Sequence, residues 1–210
     1  MAAKSTLRNM ALCLTLVCLF CAAVLGGVYA LTAAPIEAAA VNTLRNSIGQ
    51  VLPEGGTLSE AMTVEAGGQN YEYYSSSEDG KAVAYAVKSS VNGFGGPLTL
   101  MVGVLPDGTV YATRVLSHSE TPGLGAKCTT DGNFISQFRG LGPDKVIKVR
   151  KDGGDIDAIT ASTITSRAYS LAVSNAVSVV RVLEGANVGA DAFSGASVPA
   201  AQNENQEEQK

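Results

Sequence analysis

The chain has 210 residues, 46% of them hydrophobic and 16% charged, with a formal net charge of −4. That balance suits one folded domain with a sizeable core plus one membrane element. The part beyond the first apolar stretch has no basic block, which excludes the electrostatic footprint of a nucleic-acid binder.

Between Arg8 and Glu37 no charged residue occurs. A cleaved signal peptide has an apolar region of about 7 to 15 residues, whereas a spanning helix needs about 20. Met10 to about Ala34 therefore predicts an uncleaved anchor, with residues 1–34 forming a cytoplasmic stub and transmembrane helix. The small residues near Ala30 to Ala34 keep cleavage open as the alternative. Lys4 and Arg8 precede the span and Glu37 follows it, which by the positive-inside bias puts the N-terminus in the cytoplasm and the rest outside. The expected location is the cytoplasmic (inner) membrane, single-pass, with an extracytoplasmic domain.

Cys13, Cys18 and Cys21 all lie in this span, the last two as CLFC. Three thiols on one lipid-facing helix cannot complete a four-ligand metal site, so they read as small hydrophobes and no metal is expected. Cys128 is alone beyond the anchor and reads as a free or buried thiol, without a disulfide framework.

Residues 35–53 carry Val41, Leu44, Ile48 and Leu52 at helical spacing, with Gly49 and Pro53 as stops, and predict a juxtamembrane helix continuing the anchor. From Pro53 to Gly80, alternating Tyr71, Tyr73 and Tyr74 predict an edge strand and turns. KAVAYAVKSS, PLTLMVGVL and TVYATRVLS read as strands, the last two joined at Pro106-Asp107-Gly108. NFISQFRGL predicts a short helix and DKVIKVRK a strand. A long helix follows with Tyr169, Val173, Ala176, Val180 and Leu183 on its apolar face and Gly185 as its stop. Residues 187–210 lack periodicity and predict a disordered tail. Short strands with one inserted helix and one long terminal helix make the expected class α+β.

Two segments are too irregular to be scaffold alone. His118 to Lys127 runs from a strand into a loop with the chain's only histidine, a Pro-Gly turn and a second glycine. It is either a decorated hairpin exit or a ligand wall, in which Gly123 and Gly125 allow close backbone approach, Leu124 gives an apolar contact and Glu120 or His118 a polar one. The second segment, DIDAITASTITSRAY, places Thr160, Ser162, Thr163, Thr165 and Ser166 behind Asp157 at the start of the long helix. One such hydroxyl is expected as a helix cap. Five exceed that need, and a helix N-terminus also suits an anion, so a phosphate beside Thr163 and Thr165 is the competing reading. No nucleotide-loop glycine spacing accompanies it.

Asp157-Ala158-Ile159-Thr160-Ala161-Ser162-Thr163 resembles the flavinylation motif of the FMN-binding domain family, roughly D-x-x-[ST]-G-A-T, whose last threonine is esterified to the FMN phosphate. NGFGGPLTLMVGVLPDGTVYATRVLSHSETPGLGAK resembles the same family's glycine-rich turn, hairpin and flavin-lining loop. More specifically, the chain resembles the G subunits of Rnf ion-translocating ferredoxin:NAD oxidoreductase complexes. C subunits of sodium-pumping NADH:quinone oxidoreductases share both motifs in a longer chain and are one alternative. A stand-alone extracytoplasmic FMN electron carrier and a cofactor-free membrane-tethered module are the others.

The resemblance implies an FMN-binding domain over residues 54–186, a redox role inside an ion-translocating complex without independent turnover, and no catalytic acid or base. It implies covalent FMN on Thr163, attached by a separate flavin transferase from FAD. Around the cofactor it places Asp157, Thr160, Ser162 and Thr165 from the motif and Glu120, Thr121, Gly123, Leu124 and Gly125 from the loop. The usual Gly-Ala pair appears here as Ala161-Ser162, which leaves Ser162 and Thr165 as lesser candidates for the attachment atom.

Overall fold

A computed structural model describes residues 7–142, 144–186, 188–189 and 192–193. The tail expected over 187–210 falls almost wholly outside these residues, as does Lys4. The chain divides into two compact units, Met1–Leu44 and Arg45–Lys210.

Helix α1 spans Leu7–Val51, with Pro35 inside it and Gly49 not ending it. It is long and apolar enough to cross a membrane, and Leu7, Leu14, Phe20 and Leu25 are exposed. The chain reads as a single-pass membrane protein.

In the second unit, strands β1 (Thr57–Leu58), β2 (Met62–Ala66), β3 (Gln69–Glu78), β4 (Lys81–Asn92), β5 (Pro97–Val104) and β6 (Val110–Ser117) form one antiparallel sheet. The path is β1-β3-β4-β5-β6, and β2 also pairs with β3. The expected edge strand is therefore β3, and it is internal. The two- and five-residue strands β1 and β2 share its outer side, too short to read from the sequence. Asp79 and Gly80, both at positive φ, make the tight turn to β4. At the β5–β6 turn Asp107 Oδ1 accepts from Thr109 N at 2.8 Å.

The sheet buries both faces, which is why β5 reads as a nearly unbroken apolar run. Leu98, Leu100, Val102 and Val104 face the main core with Tyr85 and Val87. On the other face Met101, Ala84 and Ala86 are also buried. Opposite Ala86, Gly103 needs its bare Cα, because the Val51 carbonyl at the end of α1 fills the space of a Cβ.

Helix α2 (Gly132–Ser136) is capped by Asp131, whose carboxylate accepts from Asn133 N and Phe134 N. Helix α3 (Thr163–Leu183) lies in the main core, burying Tyr169, Val173, Ala176 and Val180. Gly185, at φ 83, stops it, and Ala186 N donates back to Arg181 O. Phe134, Phe138 and Tyr169 stack with centroids 4.8 to 5.3 Å apart.

The strand expected over DKVIKVRK is absent. Ile147 and Val149 are buried while Val146 and Lys148 are not, so the alternation is real. Among the described residues the segment pairs through a single parallel bridge, Val149 to Ile156, and it closes through a 3-10 turn at Arg150–Asp152. Alternating burial here anchors a loop.

Candidate functional site

The five hydroxyls at the start of α3 divide their duties, and the N-cap residue Ser162 makes no side-chain cap bond. Ser166 Oγ accepts from Ile159 N and donates to Ser162 O, both at 2.9 Å, bracing the turn before the helix. Thr165 Oγ1 donates to Glu120 Oε2 at 2.8 Å. Thr160 is exposed and Thr163, the first helical residue, is half-buried. The Ser162 hydroxyl is buried and has no hydrogen-bond partner among the described residues.

Glu120 connects three separate segments. Its Oε1 accepts from Phe94 N at 2.9 Å and Gly95 N at 3.4 Å in the glycine-rich turn, and its Oε2 holds α3 through Thr165. Its own backbone N–H donates to His118 Nδ1 at 3.2 Å. A Cβ on Gly93 or Gly125 would collide with the carboxylate, so those glycines are what let the backbone close around it. Glu120 itself is 5% exposed.

The three segments enclose a cavity of about 350 Å³, lined by Phe94, Glu120, Thr121, Leu124 and Gly125 on one side and residues 161–165 on the other. That volume lies in the range of small-molecule sites. Phe94, Leu124 and Ile164 are largely exposed apolar residues at the cavity. Among the residues expected around the cofactor, Glu120, Thr121, Leu124, Gly125, Ser162, Thr163 and Thr165 line it. Asp157, Thr160 and Gly123 are not among its lining residues. Asp157 is exposed, pairs with Arg150 at 2.9 Å, and its backbone is held by the Gln137 amide. Gly123 sits at φ 77 facing open space, so it makes a turn, and the close approach belongs to Gly125.

Phe94 and Ile164 escaped the sequence reading. An aromatic in a glycine-rich turn and an apolar residue in a first helical turn are ordinary, and no local signal marked them. Cys128 is free, fully buried, and pushed up to about 11 by burial and by the Glu120 charge.

The residues fit an FMN phosphate end and ring. The first N–H groups of α3 have no intrahelical acceptors, the orphaned Ser162 hydroxyl lies in the same wall, and the apolar collar suits an aromatic ring.

The FMN-binding domain family matches residues 93–178. The G subunit of the proton-translocating ferredoxin:NAD(+) oxidoreductase complex of Clostridium ljungdahlii is 32% identical over 174 residues, 82% of this chain and 90% of that one. The G subunit of the ion-translocating oxidoreductase complex of Vibrio cholerae is 36% identical over 166 residues, 72% and 79% of the two chains. Among solved structures, the C subunit of the Na(+)-translocating NADH-quinone reductase from Parabacteroides distasonis aligns with TM-score 0.49 at 23% identity, over 62% of this chain and 80% of that one. With 90% of one relative spanned and the FMN-binding domain matched across the cavity walls, the chain belongs to the G-subunit family of ion-translocating oxidoreductase complexes.

Proposed function

We propose that this chain is the membrane-anchored flavoprotein subunit of an Rnf-type ion-translocating ferredoxin:NAD oxidoreductase complex, relaying electrons through FMN esterified to Thr163. The observation that carries the reading is the convergence of the His118–Lys127 loop and the start of α3 on one cavity, with Thr163 in its wall. FMN would supply one- and two-electron redox chemistry there, and residues 54–186 form its domain.

The electrostatics favour a covalent tether. No lysine or arginine is among the cavity's lining residues, and Glu120 contributes a carboxylate. Hydroxyls and a helix N-terminus alone would hold a phosphate weakly beside that charge. An ester to Thr163 makes retention independent of affinity. A flavin transferase would pass the FMN phosphoryl group of FAD to Thr163 Oγ1, forming the new P–O bond as the pyrophosphate P–O bond of FAD breaks and releasing AMP and the hydroxyl proton. Leu124, Ile164 and Phe94 would pack on the ring.

Production of the full chain with a flavin transferase should give a band that fluoresces under ultraviolet light on a denaturing gel, and Thr163→Ala should abolish it. A label mapping to Ser162 or Thr165 would move the attachment and keep the function. Absence of covalent flavin from the wild type would refute the tether. The charge asymmetry around α1 supports an extracytoplasmic domain, and a reporter fused after Lys210 should be active only if it works outside the cytoplasm.

A further inference from the structure

We propose that Glu120 is more than a clamp: its buried carboxylate at the cavity wall holds the bound flavin's midpoint potential low. The inference rests on the FMN reading above.

Each partner of the two carboxylate oxygens is a neutral donor: Phe94 N, Gly95 N and the Thr165 hydroxyl. An ionised carboxylate, which only accepts, can take all three bonds. Among the described residues Glu120 forms no ion pair, and the cavity lining contains no cation. An ionised Glu120 carboxylate would be solvated there by dipoles alone, at 5% exposure. Its field already reaches Cys128, whose thiol it helps to push up.

A flavin that accepts an electron without a proton gains one unit of negative charge. Beside an uncompensated carboxylate in a partly enclosed site, that added charge is disfavoured, so the oxidised form gains relative to the reduced one. The backbone closes on the carboxylate from two sides, where a Cβ at Gly93 or Gly125 would occupy its space. A clamp alone would need no charge: an amide in the same place could accept from Phe94 N and Gly95 N and donate to Thr165 Oγ1.

The test is a reductive titration of the flavin-loaded full chain with dithionite against reference dyes, read by flavin absorbance. Glu120→Gln keeps the shape and removes the charge. It should move the midpoint positive, lowering the oxidised-to-reduced ratio at the wild-type midpoint about tenfold. Thr165→Val breaks the clamp and keeps the charge, and should not move the midpoint positive. Should Glu120→Gln fail to fold, Thr121→Lys and Thr121→Glu at the exposed wall should shift the midpoint positive and negative respectively. An unmoved midpoint in flavin-loaded Glu120→Gln overturns the proposal, as does a positive shift of equal size in Thr165→Val, or a midpoint that ignores both Thr121 changes. A wild-type chain without any flavin would instead fail the functional reading, and this proposal with it.

Discussion

Thr165 Oγ1 reaches Glu120 Oε2 over 2.8 Å and 45 positions of sequence, and both residues are buried. This bond joins the start of α3 to the loop after β6, and through Glu120 to the glycine-rich turn before β5. A hydrogen bond to a charged group contributes about 1.5 to 3 kcal/mol. Thr165→Val should therefore cost about 2 kcal/mol of stability, while Thr165→Ser keeps the donor and loses about 1 kcal/mol for the methyl group. The chain has no tryptophan, so urea unfolding followed by circular dichroism is the measurement. A larger loss in Thr165→Ser than in Thr165→Val, which keeps a methyl group in place, would show that the methyl group, and not the bond, matters.

Two glycines two residues apart should respond differently to alanine. At Gly125 a Cβ would collide with Glu120 Oε2 and Thr165 Oγ1, forcing the clamp open, so Gly125→Ala should reduce flavin incorporation as well as stability. At Gly123 a Cβ meets open space, and the cost is only the left-handed φ of 77, about 1 kcal/mol. Gel fluorescence normalised to protein separates the cases, and equal loading of both variants would remove Gly125 from the site.

Much of this site is legible in the amino-acid order alone. Strands β4 to β6 announce themselves as apolar runs between turns and α3 by its period, and the two motif segments are local strings that carry their own signal. What the sequence withheld depends on contacts far along the chain. Phe94 joins the cavity because Glu120, 26 positions later, accepts its N–H. Asp157 stands in the motif, yet its carboxylate turns out to Arg150, a direction that register does not encode. The segment from Asp144 alternates like a strand, but a strand also needs a partner edge, and among the described residues only Ile156 bridges to it.

Arg167 grips Asp152 with two bonds, Nε to Oδ2 at 2.7 Å and Nη2 to Oδ1 at 2.6 Å, fastening the 150–154 turn to the first turns of α3. The Arg167 guanidinium holds the Asp152 carboxyl below its ordinary value, against a smaller opposing effect of burial. A carboxyl with a lowered folded pKa stabilises the fold above its unfolded value, and that stabilisation fades as pH falls through the folded value. Asp152→Asn should lose about 1 kcal/mol at pH 7, a modest figure because both side chains are partly exposed and screened. The gap from wild type should narrow as the pH drops below about 4. A gap that stays constant into acid would mean that shape, and not charge, holds the turn.

Ser162 carries a hydroxyl that is 7% exposed at the residue level and unpartnered. A buried orphan of this kind costs about 1 to 3 kcal/mol. Ser162→Ala should therefore raise the stability of the flavin-free chain by about 1 kcal/mol. If the hydroxyl donates to a tethered phosphate, the same change should give no gain in the loaded chain. Thermal unfolding of the two forms side by side reads this difference, and equal gains in both would leave Ser162 without a ligand role.

Ala161 has φ 61, a left-handed conformation that costs an L residue about 1 to 2 kcal/mol and a glycine almost nothing. The residue turns the chain from Ile159, whose N–H is held by Ser166 Oγ, into α3, and it stands in the cavity wall. The related flavinylation motif has glycine at this position, and the observed φ is a physical reason for it. Glycine also loses more backbone freedom on folding, about 0.5 to 1 kcal/mol, which offsets part of the relief. Ala161→Gly should therefore stabilise the chain by up to about 1 kcal/mol, leaving the Ser166 and Thr165 bonds and flavin incorporation in place. Ala161→Val, β-branched and poorly tolerated at positive φ, should do the opposite on both counts. If glycine destabilises by as much as it does inside an ordinary helix, the left-handed turn at Ala161 is not the conformation the protein holds, and the placement of Thr163 in the cavity wall loses its local support.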